Sequence, residues 1–367
     1  RYLGLPDLPS LWLETNADVA ALARLIDNLC FPGVEIADAA TETPEMTFYF
    51  RCKDKQDKID SEKNSFSLLS FYYDWQSGRF QDPLGVYPVL VGIKKKQKLS
   101  LDETWVNPNA VREDCCRVIM DAALLLARYG FEAGTFVSDL AGALGNYPPE
   151  SPLPEIQRAF INCLLVSPRP DAALEFLKSS GLLNVLWPEL SCLDDVDHSK
   201  EFHPEGNAWN HTLETFRHRK AGSNGAFDLR LSLGLLLHDM GKPVSASYGN
   251  RRFDGHAELG ARAAARFLKR LEYEPSIVDD VFFLVKNHML PAALKRLPLT
   301  KTKEIMTSPL FPTLMELYRC DELSSFKVLD GYYENSAAYQ AYLRNLRNPY
   351  RSSDGKKLSA NTRRRHF

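Results

Sequence analysis

A histidine and an aspartate stand side by side at residues 238–239, at the end of the apolar run in LLLHDMGKP (235–243). Imidazole and carboxylate together suit Zn²⁺, Mn²⁺, Fe or Ni, and they suit Mg²⁺ when more carboxylate and water are present. Neighbouring residues on a helix diverge by about 100°, so the pair cannot serve one helix face equally. The pair therefore predicts metal chemistry only if other parts of the chain supply further ligands.

Further candidate ligands lie before and after the pair, in separate predicted helices: His211, His256, His288 and Asp321. His211, the His-Asp pair and Asp321 offer four mixed nitrogen and oxygen ligands from three helices. Such a site leaves coordination positions open for a water and a phosphate oxygen. Lys242 follows one turn after the histidine of the pair, where its ammonium could hold a phosphate oxygen.

Each of these residues also has a purely structural interpretation. A single buried histidine is usually only hydrogen-bonded, and for His256 and His288 a structural or supporting role is the favoured interpretation. Gly241 and Pro243 are typical of the end of a helix, so the whole stretch could be a helix C-terminus. The joint pattern of histidines and aspartates favours a metal site over these separate explanations.

Composition limits the classes of protein that the chain can represent. The 367 residues are enough for two or three domains. Forty-five basic and 47 acidic residues give a net charge of −2, so a polyanion would have to meet a local basic patch. Seven scattered cysteines without a CxxC pair indicate neither a zinc knuckle nor a disulfide framework and favour a reducing, cytoplasmic setting. No apolar stretch approaches the roughly 18 residues that span a bilayer.

The periodicity of apolar residues changes along the chain. The first hundred residues read as mixed α/β, with a helix predicted at 18–29 and strands at 45–52 and 87–96. From about residue 110 the spacing becomes helical, beginning with a helix at 111–131. A long polar linker at 187–207 is a candidate domain boundary.

Four stretches together resemble the HD-type metal-dependent phosphohydrolase domain: FHPEGNAWNHTLE, LGLLLHDMGKP, RRFDGHAELGA and RCDELSS. In particular, they resemble the version fused to bacterial class II tRNA nucleotidyltransferases and poly(A) polymerases. The resemblance implies an all-helical domain with a divalent metal ion, either Mg, Mn, Ni, Fe or Zn, held by His211, His238, Asp239 and Asp321. Asn207 departs from the family, which often has Asp there, but it is not a proposed ligand.

The same resemblance implies a reaction. Metal held in part by Asp239 would lower the pKa of a bound water, and Lys242 would neutralise the phosphoryl oxygens. His256 and His288 would hold a second metal or donate to the leaving group. The implied substrate is a phosphomonoester, a 2′,3′-cyclic phosphate or a nucleotide.

The region before the HD-like stretches resembles the rest of that family. REDCCRVIMDAALLLARYGF (112–131) is similar to the neck helix, whose Asp and Arg read the Watson–Crick edge of the incoming nucleotide. Those residues would be Asp114 and Arg117 here, although an ordinary ion pair three residues apart is the alternative. FSLLSFYYDWQSGRFQDPLGVYPVL (66–90) and LLNVLWPEL (182–190) also resemble family stretches.

The resemblance spans about residues 1–335 and implies an α+β fold. The expected organisation is a small mixed α/β nucleotidyltransferase-like head, a mostly α-helical neck, an all-α HD domain and a basic C-terminal tail, at residues 1–98, 99–190, 191–335 and 336–367.

The head departs from the family where transfer chemistry would occur. Nucleotidyl transfer uses two divalent ions held by an Asp-x-Asp pair. Aligned on Arg1, the motif's Asp becomes Tyr2, and the pair falls near SLWLET (10–15), where Leu11 and Leu13 stand. Apolar side chains cannot ligate Mg²⁺.

Other carboxylates and basic groups do not replace that pair. Asp7, Glu14 and Asp18 lie near it but form no spaced pair, and the family's Arg-Arg-Asp-Phe-Thr is replaced by KNSFS (63–67), where only Lys63 is basic. We therefore expect a head that keeps its scaffold without transferase chemistry.

Three functions remain open from the sequence. The first is a metal-dependent phosphohydrolase acting on a nucleotide, a cyclic phosphate or an RNA-end phosphate. The second is a working tRNA CCA-adding or poly(A)-adding nucleotidyltransferase. The third is a non-enzymatic RNA-binding protein, for which the basic runs GIKKKQKL, RHRK, NRRF and NTRRRHF would contact phosphates. RNA or tRNA is a candidate partner, no membrane is expected, and the sequence leaves the oligomeric state open.

Overall fold

The structure is a computed structural model that describes residues 10–31, 37–43, 47–52, 65–95, 100–101, 105–134, 137–146, 151–197, 206–222, 225–247, 253–325, 328–348, 350–352 and 355–357. The chain divides into two compact units. The first unit comprises residues 1–191, 220–229 and 270–272, and the second comprises residues 192–219, 230–269 and 273–367. The predicted α+β class is confirmed, because strands near the N-terminus precede a helical remainder.

The first unit begins with a mixed sheet and one helix: β1 (Ser10–Thr15), α1 (Val19–Leu25), β2 (Ala39–Glu42) and β3 (Thr47–Cys52). The central strand β3 runs parallel to β1 and antiparallel to β2. Side chains alternate along a strand, so Leu13 and Phe50 point to the same face. They pack there with Leu22 of α1. The carboxylate of Asp18 begins this helix by accepting the N–H of Ala21 at 2.7 Å.

A hairpin and a helix follow: β4 (Tyr72–Asp74), β5 (Arg79–Gln81) and α2 (Tyr87–Lys94). The prediction of a strand at 87–96 is therefore wrong. Pro88 stands in the first turn of α2, where a missing N–H has no cost. The carboxylate of Asp82 accepts the N–H groups of Val86 at 2.7 Å and Tyr87 at 3.0 Å. These contacts at the helix start outweigh the β-propensity of the valines in this stretch.

The remaining described part of the first unit forms seven α-helices: α3 (Pro108–Glu113), α4 (Cys115–Tyr129), α5 (Val137–Asn146), α6 (Pro154–Leu165), α7 (Pro170–Ser179), α8 (Leu182–Leu186) and α9 (Pro188–Ser191). The apolar face of α4 packs against α6 and α7. The single helix predicted at 111–131 is two helices, because Asp114 leaves the helical region with φ −152° and ψ 77°. Gly130 ends α4 in the left-handed conformation, at φ 68°.

The regular elements described in the second unit are helices: α10 (Ala208–Arg217), α11 (Leu229–Leu237), α12 (Lys242–Ser247), α13 (His256–Arg270), α14 (Pro275–Asn287), α15 (Leu299–Met306), α16 (Phe311–Ser325) and α17 (Asp330–Arg347). Helix α16 contacts α10, α14 and α17. Residues 231–237 of α11 are all buried, as expected of a helix inside a core. Helix α17 runs across the boundary predicted at residue 335.

Two further features of the described residues concern membrane-spanning helices and the pairing of cysteines. None of the helices described combines the length and the hydrophobicity that crossing a bilayer requires. All seven cysteines lie in described segments, and each is a free thiol.

Candidate metal centre

The structure brings together the six side chains that the sequence analysis proposed as metal ligands: His211, His238, Asp239, His256, His288 and Asp321. All six lie in the second unit, and five are buried, whereas the Asp321 side chain is 23% exposed. Five segments supply them, so the cluster exists only because the helices of this unit pack together.

The His-Asp pair does not lie on a helix. Helix α11 ends at Leu237, and residues 238–241 form the turn that leads into α12. Nε2 of His238 lies 3.3 Å from Oδ2 of Asp239. Because the pair is outside helical geometry, both side chains face the same space, and the 100° divergence of helical neighbours does not apply.

Gly241 has a different role from the one that the sequence suggested. The expectation that Gly241 and Pro243 end the helix is wrong, because the helix already ends at Leu237 and Pro243 belongs to the first turn of α12. A Cβ atom on Gly241 would lie 2.0 Å from the carbonyl oxygen of His256. Glycine therefore allows the turn to approach the start of α13, which carries another candidate ligand.

The local backbone fixes the orientation of three imidazoles. In each, Nδ1 lies within hydrogen-bond distance of the carbonyl oxygen three residues earlier: His238 with Leu235 at 2.8 Å, His256 with Phe253 at 2.8 Å and His288 with Val285 at 2.7 Å. Since a carbonyl oxygen only accepts, each Nδ1 donates. The Nε2 atom of the neutral ring then presents a lone pair, as a metal-binding histidine does.

His211 is oriented by a side chain that the sequence analysis did not identify. The hydroxyl of Ser324 donates to the carbonyl oxygen of Asp321 at 2.6 Å, so its oxygen accepts from Nδ1 of His211 at 3.1 Å. Nε2 of His211 then lies 2.9 Å from Oδ1 of Asp321. The signal was available, since Ser324 follows Asp321 by three residues on the same helix and so shares its face.

Asn207 also supports His211 indirectly. Its side-chain oxygen accepts the N–H of Asn210 at 2.9 Å and so begins α10, the helix that carries His211. Its amide nitrogen donates to the carboxylate of Asp194 at 2.8 Å. The asparagine at this position therefore performs a capping role that needs no carboxylate.

Asp239 is common to two possible ligand sets. One set is His211, His238 and Asp239, and the other is Asp239, His256 and His288. Oδ2 of Asp239 lies 3.9 Å from Nε2 of His211, and Oδ1 lies 3.7 Å from Nε2 of His256. One carboxylate oxygen is thus directed at each set, as in sites where a carboxylate lies between two metal ions.

The chemistry of these residues fits a bound cation. Nε2 of His238 is buried and has no hydrogen-bond partner among the described residues, and Oδ2 of Asp239 is buried beside the Lys242 ammonium without an aligned hydrogen bond. Buried polar atoms nearly always form hydrogen bonds, so their lack here requires an explanation. A divalent ion ligated by both atoms provides one, and the mixed nitrogen and oxygen donors suit Mn, Fe, Ni or Zn.

The electrostatics keep the aspartates ionised and one imidazole neutral. Burial tends to raise the pKa of Asp239, but electrostatic interactions with the neighbouring His238 and Lys242 side chains outweigh it and hold this pKa well below its usual range. Burial lowers the pKa of His288 to about 4. At neutral pH, the cluster therefore offers carboxylate oxygens together with an imidazole that has a free lone pair.

Lys242 is buried beside the His-Asp pair. Its Nζ atom lies 2.7 Å from Oδ2 of Asp239, in an ion pair that lacks the alignment of a hydrogen bond. The same atom lies 5.7 Å from the ring centroid of Phe253. The ammonium predicted to face a phosphate thus lies next to the carboxylate common to both ligand sets.

The candidate nucleotide-binding residues belong to the first unit, whereas the cluster belongs to the second. The carboxylate of Asp114 accepts the N–H of Arg117 at 2.9 Å and caps α4. Both side chains are exposed. One carboxylate oxygen of Asp114 thus has a structural role at the start of the helix.

Leu13 of strand β1 packs against the core of the head, whereas Leu11 is exposed. Leu13 packs with Leu22 and Phe50, so the alternate face of β1 carries Trp12 and Glu14. A carboxylate pair was expected at the positions that Leu11 and Leu13 occupy. Of these two, Leu13 faces the core.

The opposite face of the sheet is aromatic. Trp12 stacks on Tyr49, with their ring centroids 4.5 Å apart, and the guanidinium of Arg51 lies 5.2 Å from the Trp12 ring. Among the described residues of the head, no group of three carboxylates, histidines or cysteines is close enough to hold a metal. Tyr2, Asp7 and Lys63 lie outside the described residues.

Comparisons with known proteins agree with the predicted resemblance. Residues 209–324 match the HD domain family. The chain is 32% identical over 204 residues to a CC-adding tRNA nucleotidyltransferase of Thermus thermophilus, covering 54% of this chain and 46% of that protein. It is also 32% identical over 149 residues to a multifunctional CCA protein of Halorhodospira halophila, covering 41% and 34%.

A solved structure shares the fold at low sequence identity. A tRNA-processing enzyme in an apo form matches with a TM-score of 0.50 and 14% identity, over 93% of this chain and 88% of that one. The chain spans less than half the length of the two curated relatives described above. The comparisons therefore support the family and the HD domain, whereas the activity must be argued from the residues.

Proposed function

We propose that this member of the tRNA nucleotidyltransferase family, which carries an HD domain, is a metal-dependent phosphohydrolase whose active site is the cluster in the second unit. The observation that carries the proposal is Asp239, a buried carboxylate that directs one oxygen at each of two histidine sets. The residues that would hold metal are His211, His238, Asp239 and Asp321, with His256 and His288 at a second position. A bound divalent ion supplies a positive charge that lowers the pKa of a coordinated water and stabilises phosphoryl oxygens.

The chain's own groups would prepare the site for this chemistry. Backbone carbonyls and Ser324 hold the Nδ1 atoms, so the Nε2 atoms point inward without rearrangement. The Lys242 ammonium adds a fixed positive charge next to Asp239, where it would attract a substrate phosphoryl group. Burial excludes water from most of the cluster, and Asp321 is the partly exposed ligand through which a substrate would approach.

The substrate class follows from the family and the charge of the site. Relatives of this chain are named for tRNA. A nucleotide, a cyclic phosphate or an RNA-end phosphate would bring the anionic phosphoryl group that metal ions and Lys242 attract. We propose that Asp114 and Arg117 assist by binding nucleotide or RNA, with the exposed arginine side chain contacting a base while its backbone N–H stays capped.

We further propose that the transferase site of the head has been lost. The described strand β1 directs Leu13 into the core and Trp12 to the other face, so it does not display two carboxylates at alternate positions. The alternative, a working nucleotidyltransferase, is favoured by the identity to the CC-adding enzyme of Thermus thermophilus. Transfer activity would have to come from carboxylates other than those of β1.

The decisive experiment compares Asp239→Asn with Asp279→Asn, which changes an exposed aspartate of α14. Each protein is assayed with p-nitrophenyl phosphate and 2′,3′-cyclic AMP in the presence of Mn²⁺, Ni²⁺ or Mg²⁺. We expect Asp239→Asn to lower metal-dependent hydrolysis at least 100-fold, since a ligand common to both sets is lost. Asp279→Asn should leave hydrolysis unchanged. Equal hydrolysis by both variants would contradict the proposal.

A second assay separates hydrolysis from transfer. The unmodified chain is incubated with tRNA lacking its terminal CCA, Mg²⁺ and labelled CTP or ATP. We expect no incorporation of label. Efficient incorporation that persists in Asp239→Asn would show a transferase site outside the second unit, and the alternative would then be correct.

A further inference from the structure

The hairpin of β4 and β5 carries aromatic rings that the proposed function does not use. Phe80 lies directly opposite Tyr73 in the hairpin register, with their ring centroids 5.1 Å apart. Trp75 packs edge-on against Tyr73 at 5.2 Å. Alternation along the chain places residues 71, 73 and 75 on the same side of the hairpin. One face of the hairpin is therefore almost entirely aromatic.

Three of the rings form a nearly parallel stack. The Phe71 ring lies 5.3 Å from that of Phe80 with an angle of 13° between the planes, and 6.3 Å from that of Tyr87 with an angle of 24°. Both outer members are open to solvent, Phe80 being 65% and Tyr87 49% exposed. Trp75, beside the stack, is 76% exposed. A flat ligand can thus extend the stack without displacing a buried side chain.

The described charged side chains of the hairpin and of α2 differ in whether they are already paired. The carboxylate of Asp74 accepts the N–H of Gln76 at 2.9 Å, and that of Asp82 accepts two N–H groups at the start of α2. Both carboxylates are therefore occupied by their own turns. Arg79, next to Phe80, and Lys95, after α2, form no ion pair with the described residues. Arg79 pairs with Asp74 in the register, so alternation directs it to the face opposite Phe80, where it would contact phosphates of a bound strand rather than the stacked bases.

We propose that this aromatic face, formed by Phe71, Tyr73, Trp75, Phe80 and Tyr87, is a stacking surface for unpaired RNA bases. Every base has a flat π face, and stacking on aromatic side chains together with cations that contact phosphates is how proteins bind single strands without reading sequence. An apolar protein partner would not need parallel open rings or free cations. The surface lies in the first unit and adds an RNA-binding site to the metal centre of the second.

The test measures RNA binding by fluorescence anisotropy with the full chain. The probe is a labelled 12-nucleotide oligo(A) strand, compared with the same strand in a duplex. Trp75→Ala and Phe80→Ala are each expected to weaken binding of the single strand about 5- to 150-fold, because stacking contributes roughly 1–3 kcal/mol per base. Trp75→Phe retains a ring and should lose less. Tyr333→Ala, which removes a 63% exposed ring from α17, is the matched control and should bind as the unmodified chain does.

Two further measurements, the salt dependence of RNA binding and the rate of phosphate ester hydrolysis, complete the test. Arg79→Gln is expected to reduce the salt dependence of binding, because one phosphate contact is lost. Hydrolysis of p-nitrophenyl phosphate should be equal in Trp75→Ala and the unmodified chain, which separates this site from the metal centre. The proposal is wrong if Trp75→Ala and Phe80→Ala both bind the single strand normally, or if the duplex binds as tightly as the single strand. It is also wrong if sedimentation shows a dimer that Trp75→Ala dissociates while RNA binding is unchanged.

Discussion

Nε2 of His256 lies 3.1 Å from Nε2 of His288. Both Nδ1 atoms already donate to backbone carbonyl oxygens, so two neutral rings direct their lone pairs at each other. Lone pairs at this separation repel unless a cation lies between or beside them. Burial lowers the pKa of both imidazoles, so a proton is a poor candidate for that cation at neutral pH. A metal ion that also faces Oδ1 of Asp239 explains the close approach of the two Nε2 atoms better than a proton does.

The first prediction concerns how many metal ions bind. We expect the unmodified chain to bind two equivalents of Mn²⁺ or Ni²⁺ and His288→Ala to bind one, because one set loses a ligand while His211, His238 and Asp239 remain. Asp239→Asn should bind neither ion tightly, since Asp239 belongs to both sets. Elemental analysis after dialysis measures the stoichiometry. One equivalent in the unmodified chain and in His288→Ala alike would exclude a second site.

The second prediction concerns the hydroxyl that orients His211. Ser324→Ala removes the acceptor of the Nδ1 proton, so the ring is no longer held with Nε2 inward. We expect metal affinity to fall about 10- to 100-fold without a change in stoichiometry at saturation. Isothermal titration with Mn²⁺ measures both quantities. Ser324→Thr keeps a hydroxyl and should recover much of the affinity. No recovery would indicate that space, rather than the hydrogen bond, matters at this position.

The third prediction concerns the turn that carries the His-Asp pair. Gly241→Ala would place a Cβ atom 2.0 Å from the carbonyl oxygen of His256, so the turn or α13 must move. We expect a loss of about 1–3 kcal/mol in the free energy of unfolding, as for overpacked cores.

Gly142→Ala provides a control of opposite sign. Gly142 lies within α5, and among the described residues no atom outside the backbone of this helix lies within 4 Å of the position its Cβ would take. Alanine there should stabilise the chain by roughly 0.5–1 kcal/mol, because glycine is unfavourable inside a helix. Urea unfolding of both variants measures the difference. Equal effects of the two substitutions would show that the close approach at Gly241 is not tight.

The residues of the cluster were predictable because their chemistry is local to short motifs. His211, His238, Asp239 and Asp321 could be selected by residue type and spacing, and the structure brings them together. How they face one another was not predictable in the same way. The sequence does not show that α11 ends at Leu237, and that end is what lets neighbouring residues share one space.

The errors in the first unit have a similar cause. The valines of 87–96 have high β-propensity, yet Asp82 and Pro88 begin a helix there, and such contacts at an element's start are weak signals in sequence. At β1, comparison with the family motif indicated that leucines replace the carboxylates, but it did not indicate which face of the sheet these leucines occupy. The face depends on the register of β1 with β3, which pairs residues far apart in the chain.

The last prediction concerns stability and pH. Burial raises the pKa of Asp121 in α4 to about 6, although the Ser65 hydroxyl, which donates to it at 2.5 Å, and the charge of Arg117 oppose the shift. The folded chain thus holds this proton more tightly than the unfolded chain, in which the pKa is close to 3.8. The stabilising contribution is therefore present below about pH 4 and is lost as pH rises to about 6.

The variant Asp121→Asn tests this sign. Asparagine stays neutral and keeps an oxygen that can accept from Ser65, so it should avoid a cost that reaches on the order of 3 kcal/mol at pH 7. We expect the variant to gain urea resistance over the unmodified chain at pH 7 and to lose that gain toward pH 4.5. Asp139→Asn, at an exposed position of α5, should follow the unmodified chain at every pH. If the stability of Asp121→Asn and of the unmodified chain changed in parallel with pH, Asp121 would be ionised in the folded chain at low pH, and burial would not control its pKa.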